Sequence, residues 1–188
     1  MEQTFLIRPA TESDRPALRA LIERSAAALS VGFYTPLQTA AITREVFGVD
    51  SQLLADGTYY VVETAGDIAA CGGWGKRSTG FGGDQAKPAQ ERLLDPATEP
   101  ARIRAFFVDP AWARRGLGSL LMMHCAACAG AAGFGTLELV STLPGVPLYQ
   151  ALGFTEVEPF DLVLARGVRV PVVRMRRPVG SDPGVERR

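Results

Sequence analysis

The chain has 188 residues, with 20 Lys and Arg against 20 Asp and Glu, one His and three Cys. That length suits one domain with a sizeable core, and a net charge of zero excludes a global field that would draw the protein to nucleic acid or to an anionic membrane. No apolar run approaches the ~20 residues that cross a bilayer, and no apolar stretch follows a basic N-terminus, so the expected location is the cytoplasm.

Thr4 to Ile7 reads as a first strand. Asp14-Arg15-Pro16 opens a helix with an acidic cap and a proline in its first turn, and Leu18, Leu21, Ile22 and Leu29 give it one apolar stripe. A second helix is predicted from Leu37 to Phe47. Tyr59 to Glu63 and Ile68 to Trp74 form a hairpin about the turn residues Ala65-Gly66-Asp67. Ser78 to Pro100 carries glycine, proline and charge without apolar periodicity and reads as a long surface loop. A strand from Arg102 to Val108 follows, then a glycine turn and a helix from Leu117 to Ala132 stopped by Gly133. Thr136 to Thr142 is the next strand and Val146 to Leu152 a short helix. Glu156 to Leu164 and Val168 to Met175 are the final strand pair. Residues 1–177 form the expected domain and 178–188 a polar, disordered tail.

Cys125 and Cys128 have the Cys-x-x-Cys spacing, but they fall in mid-helix, where no helix N-terminus stabilises a thiolate. With Cys71 they read as small buried side chains. His124, on the same helix, reads as structural.

The densest signal is Val108-Asp109-Pro110-Ala111-Trp112-Ala113-Arg114-Arg115-Gly116-Leu117-Gly118-Ser119. Glycines remove side chains where the backbone must approach a ligand, and the first amides of the following helix lack internal partners. Together with the helix dipole and two arginines they favour a phosphate or pyrophosphate. A P-loop is excluded, because Ser119 follows the second glycine with no lysine. A dinucleotide fold would put a third glycine or alanine where Leu121 stands and would leave room for a doubly wound sheet.

From Arg102 to Phe154 the chain resembles the GNAT superfamily of acetyl-CoA-dependent N-acetyltransferases. The resemblance rests on Phe106-Phe107-Val108-Asp109-Pro110, on Arg115-Gly116-Leu117-Gly118 and on Leu148-Tyr149-Gln150-Ala151-Leu152-Gly153-Phe154, in the family's order and spacing. One departure is Ala113, where the family's pattern has Gln or Arg; Arg114 is the candidate to supply that charge. The resemblance implies an α/β (α+β) fold with a mixed, mostly antiparallel sheet of about seven strands flanked by four helices and splayed between the fourth and fifth strands.

It also implies acetyl-CoA as co-substrate, with no metal. Phe106, Phe107 and Val108 would pair with the pantetheine arm, and the N–H of Phe107 or Val108 would face the thioester carbonyl. Ala113, Arg114, Arg115, Gly116, Leu117, Gly118 and Ser119 would hold the pyrophosphate, with Thr142 as a further cofactor contact. Tyr149 matches the family's general acid; the plainer reading is a half-buried tyrosine under the cofactor.

The general base is not legible. Strand alternation puts Arg102, Arg104 and Phe106 on one face. The two arginines suit either a substrate carboxylate or ion pairs with Asp95 or Glu99, and Glu138 on the neighbouring strand or a water chain is left to deprotonate the amine. Phe33, Tyr34, Trp74, Arg77 and Phe81 are the acceptor-cleft candidates. The expected function is acetylation of a small-molecule primary amine by direct attack in a ternary complex, by a monomer or homodimer without nucleic-acid or membrane partners. The alternatives are a protein N-terminal or lysine acetyltransferase and an idle acyl-CoA-binding regulator.

Overall fold

A computed structural model describes residues 4–87 and 91–181. The N-terminal half is an antiparallel meander closed by helices. Strand β1 (Leu6–Pro9) pairs with β2 (Tyr59–Thr64), and β2 with β3 (Asp67–Gly75). β-Branched and aromatic residues fill β2, and its hairpin turn uses two left-handed residues, Ala65 (φ 51°) and Gly66 (φ 88°), the geometry that matches strand twist. Between β1 and β2 lie α1 (Arg15–Leu29), α2 (Pro36–Glu45) and α3 (Ser51–Ala55).

Helix α3 is an addition to the four helices expected, since the described residues hold five. The signal for it was in the sequence: Asp50 stands before Ser-Gln-Leu-Leu, and its carboxylate caps the helix by accepting from Gln52 N and Leu53 N at 3.0 and 3.1 Å. Asp14, expected as the cap of α1, makes no such bond with that helix. Its carboxylate instead accepts from Thr11 N at 2.7 Å and from both terminal nitrogens of Arg8 at 2.7 and 2.8 Å.

Strand β4 (Ala101–Val108) pairs antiparallel with β3 along its length. After it come α4 (Leu117–Ala131), β5 (Thr136–Thr142), α5 (Val146–Ala151), β6 (Thr155–Val163) and β7 (Arg169–Pro178). The seven strands form one open sheet in the order β1-β2-β3-β4-β5-β7-β6. Only β4 and β5 are parallel, and they pair only at Ala101 with Leu137 and Arg102 with Glu138. Beyond Arg102 the two strands diverge, which is the expected splay. β7 also runs past the expected tail boundary: Pro178 is its last residue and Val179 donates to Gly135 O at 3.0 Å. Residues 182–188 of that tail lie outside the described residues.

Helix α4 lies on one face of the sheet, with Leu121, Met122, Cys125 and Ala129 packed against Tyr60, Val62, Trp74 and Ile103. Helices α1 and α3 cover the other face through Leu18, Leu21, Ile22 and Leu53, against Tyr59, Val61 and Cys71. Gly133 (φ 92°) ends α4 in the left-handed conformation, as predicted.

Candidate functional site

Six residues of β4, from Ile103 to Val108, have β3 on one side and no strand on the other. A bulge shapes this segment. Two steps along β3, from Cys71 to Gly73, are matched by three along β4, from Phe107 to Arg104, and Ala105 takes a φ of 55°. The expected alternation therefore breaks at Ala105: Ile103, Phe106 and Val108 pack with the α4 side, whereas Ala105 and Phe107 pack with the α1 side. Phe106 does not share a face with Arg104. Its ring lies over Gly72, where a Cβ would stand 2.6 Å from it.

The chain leaves β4 through Asp109, whose Oδ1 accepts from Ala111 N at 2.9 Å and whose Oδ2 pairs with Arg24 of α1 at 2.7 Å. Arg114 (φ 64°) and Gly116 (φ 81°) then turn the chain left-handed into α4. The first helical bond runs from Leu120 N to Gly116 O at 2.9 Å, so the amides of Leu117, Gly118 and Ser119 have no partner within the helix. At Gly118 a Cβ would meet Leu148 of α5 at 2.9 Å. This close approach sets the glycine loop against the helix that carries Tyr149.

These pieces line one cleft of about 760 Å³. Around it stand Phe106, Phe107, Val108, Ala113, Arg114, Gly116, Leu117, Gly118, Ser119, Thr142 and Tyr149, so eleven of the twelve residues expected to hold the cofactor face one space. Arg115 does not line it; its guanidinium lies 4.8 Å from the centre of the Trp112 ring, which in turn meets Phe5 edge-on. Burial raises the Tyr149 phenol well above its ordinary value, with Cys125 adding to the shift. Its ring is held edge-on by Phe154 at 5.8 Å. A phenol so placed keeps its proton throughout the physiological range.

Of the acceptor candidates, Phe33, Phe81 and Arg104 line the cleft. Phe33 is half exposed at its rim. Tyr34 does not reach it: its hydroxyl donates to Pro171 O at 2.7 Å and accepts from Leu143 N at 2.9 Å, pinning β7 to the turn before α5. Trp74 is buried against α4 and Phe134. Arg77 is paired with Asp56 at 3.2 Å.

Arg102 and Arg104 are paired with neither Asp95 nor Glu99; Glu99 binds Arg92 instead. Arg102 is joined to the buried Glu138, which also takes Arg176 Nε at 2.5 Å. Glu138 is thereby enclosed by two cations and does not line the cleft. Arg104 pairs with the fully buried Asp50 at 2.8 Å and donates to Gly82 O at 2.5 Å, so it ties the loop between β3 and β4 onto β4. The described residues of the cleft wall include no Asp, Glu or His.

Sequence reasoning missed much of the apolar lining of the cleft. Ile42, Val46, Phe47, Leu162 and Val172 belong to it. Ile42 lies in α2 and Val46 is its C-cap, within the helix predicted from Leu37 to Phe47, but that prediction did not show that they face a cleft.

A split parallel pair beside a glycine-led helix start, open to one cleft, defines an acetyl-transferring enzyme. The model of the acetyltransferase (GNAT) domain matches residues 55–156, and the chain belongs to the GNAT superfamily of N-acetyltransferases. No curated protein matches the chain in sequence. Among solved structures, it resembles a GCN5-related N-acetyltransferase from Rhodopseudomonas palustris (TM-score 0.70, 16% identity, covering 95% of this chain and 98% of that one). It also resembles the PaiA N-acetyltransferase from Thermoplasma acidophilum in complex with coenzyme A (TM-score 0.62, 12% identity, 93% and 99% covered). A third is an Escherichia coli N-acetyltransferase named for the alanine of a ribosomal protein (TM-score 0.54, 20% identity, 94% of each chain covered).

Proposed function

We propose that the protein transfers an acetyl group from acetyl-CoA to the primary amine of a small molecule by direct attack within a ternary complex. The observation that carries this reading is the single cleft, which joins the free edge of β4, the start of α4 and the Tyr149 side chain to a second, apolar end. Both reactants fit one space, so no covalent enzyme intermediate is needed.

Acetyl-CoA supplies the activated thioester; the chain supplies position and protons. The amides at the start of α4, with Arg114 beside them, take the pyrophosphate, and the open edge of β4 takes the amides of the pantetheine arm. Asp109 N donates to Ala69 O at 2.9 Å on the β3 side, so by strand alternation the N–H of Val108 points to the open edge. That geometry favours Val108 over Phe107 as the donor to the thioester carbonyl. Tyr149 Oη holds the proton for the departing thiolate. The lack of a carboxylate or imidazole among the described cleft residues favours an acceptor that arrives as the neutral amine, its proton leaving through water. The same observation favours a second reading, a non-catalytic acyl-CoA-binding protein.

Calorimetry with acetyl-CoA, followed by thiol release over a panel of amines and an N-terminal peptide, separates the readings. Binding with turnover of small amines is expected. Binding without turnover of any acceptor would establish the regulator, and turnover of the peptide alone would establish a protein acetyltransferase. Tyr149→Phe should bind acetyl-CoA normally while kcat falls by roughly 100-fold; a wild-type rate removes the general-acid role.

A further inference from the structure

We infer, on the basis of the acetyltransferase reading above, that the acceptor is a primary amine on an apolar, ring-sized body that carries no carboxylate and no second cation. Ile42, Val46, Leu162 and Val172 form one apolar cluster with Phe47 and Phe81 packed against it, and all six line the cleft. Four different parts of the chain thus contribute apolar groups to one chamber. A hydrophobic body gains from every surface it covers there.

Arg104 is the charged side chain on this wall, and it is already committed. Only 3% of its side chain is exposed, its Nη2 faces Asp50 and the Gly82 carbonyl, and Asp50 is itself fully buried and also held by Lys87. The Nε of Arg104 is buried and has no hydrogen-bond partner among the described residues. A substrate carboxylate would have to displace Asp50 from its cap on α3 or lie unpaired against phenyl rings. A second ammonium would meet no described acidic group in the cleft wall.

The same lining accounts for the missing base. An ammonium entering an apolar chamber is desolvated and its pKa falls, so the chamber itself selects the neutral amine. The titratable side chains that share this cleft are Arg104, Arg114 and Tyr149, and none of them is a proton acceptor at neutral pH.

The test compares phenethylamine with phenylalanine, which adds a carboxylate to the same body, and with a linear polyamine, reading thiol release from acetyl-CoA by the full-length protein. The expected result is a kcat/KM for phenethylamine roughly 100-fold above that for either competitor. Equal or better use of phenylalanine or the polyamine overturns the inference while leaving the acetyltransferase reading intact. Acetyl-CoA binding without thiol release from any amine overturns both. Phe81→Lys, which places an uncommitted cation on the wall, should shift the ratio toward phenylalanine with acetyl-CoA affinity unchanged; an unmoved ratio counts against the chamber as the acceptor's site.

Discussion

Glu138 shows how a residue's place can be legible in sequence while its partners are not. Its position on the strand beside Arg102 was legible, because β5 was predicted over its observed range and the two strands pair at that point. What could not be read is that Arg176 approaches from β7, since nothing in local pattern joins residues 38 apart. A cation stands on each oxygen of the carboxylate, which points to a structural part. Glu138→Gln should therefore destabilise the fold by about 3 kcal/mol, because it leaves two guanidinium groups undercompensated, while kcat per folded molecule stays near wild type. Urea unfolding alongside steady-state kinetics checks both halves; a large fall in kcat at full stability would return Glu138 to the chemistry. Tyr149 was read from its motif alone, and its motif carries it to the cleft.

At the scale of the element, β4 and α4 position the chemistry, and most of their features were local enough to read. A proline after the strand, glycines at a turn and a long apolar run are written in consecutive residues. The bulge at Ala105 is not, because a non-glycine residue with positive φ is held there by its neighbours rather than chosen by its own preference. One neighbour is Gly72, whose bare backbone makes room for the Phe106 ring. Gly72→Ala should force that ring and the open edge of β4 to shift, at a cost of about 1–3 kcal/mol. A rise in the acetyl-CoA dissociation constant larger than the rise in the amine KM is the expected readout, by calorimetry and kinetics. Unchanged affinity with lowered stability would mean that Phe106 matters to the core and not to the edge.

For the whole molecule, the meander and its flanking helices were legible because each strand pairs with a neighbour close in sequence. The apolar lining of the cleft was not, since it comes from α2 and the turn after it, the β3–β4 loop, β6 and β7, which lie far apart in the sequence. Stability has the same distributed character. The Arg8 guanidinium, aided by Thr11, holds the Asp14 carboxyl down at about 2, and a second Arg8 contact reaches Glu63 at 2.5 Å, joining β1, β2 and the start of α1. A depressed folded pKa means that the stabilisation is complete above the unfolded value of about 3.9 and is lost as pH falls toward about 2. Asp14→Asn should lower stability by about 2–3 kcal/mol at neutral pH, a difference that shrinks as pH falls through about 2. Denaturant midpoints at several pH values test this, and parallel curves would exclude Asp14 as the titrating group.

The two halves of the sheet meet through only two residue pairs, at Ala101 and Arg102. A molecule divided in this way is a wedge held at its narrow end, and any ligand that lies along both diverging strands acts as a brace. Binding energy then becomes cohesion between the halves, about 2.7 kcal/mol at a hundredfold excess over the dissociation constant. The open edge of β4 should report it directly: the amide of Val108, which faces no strand, is expected to gain protection from hydrogen exchange when such a ligand binds.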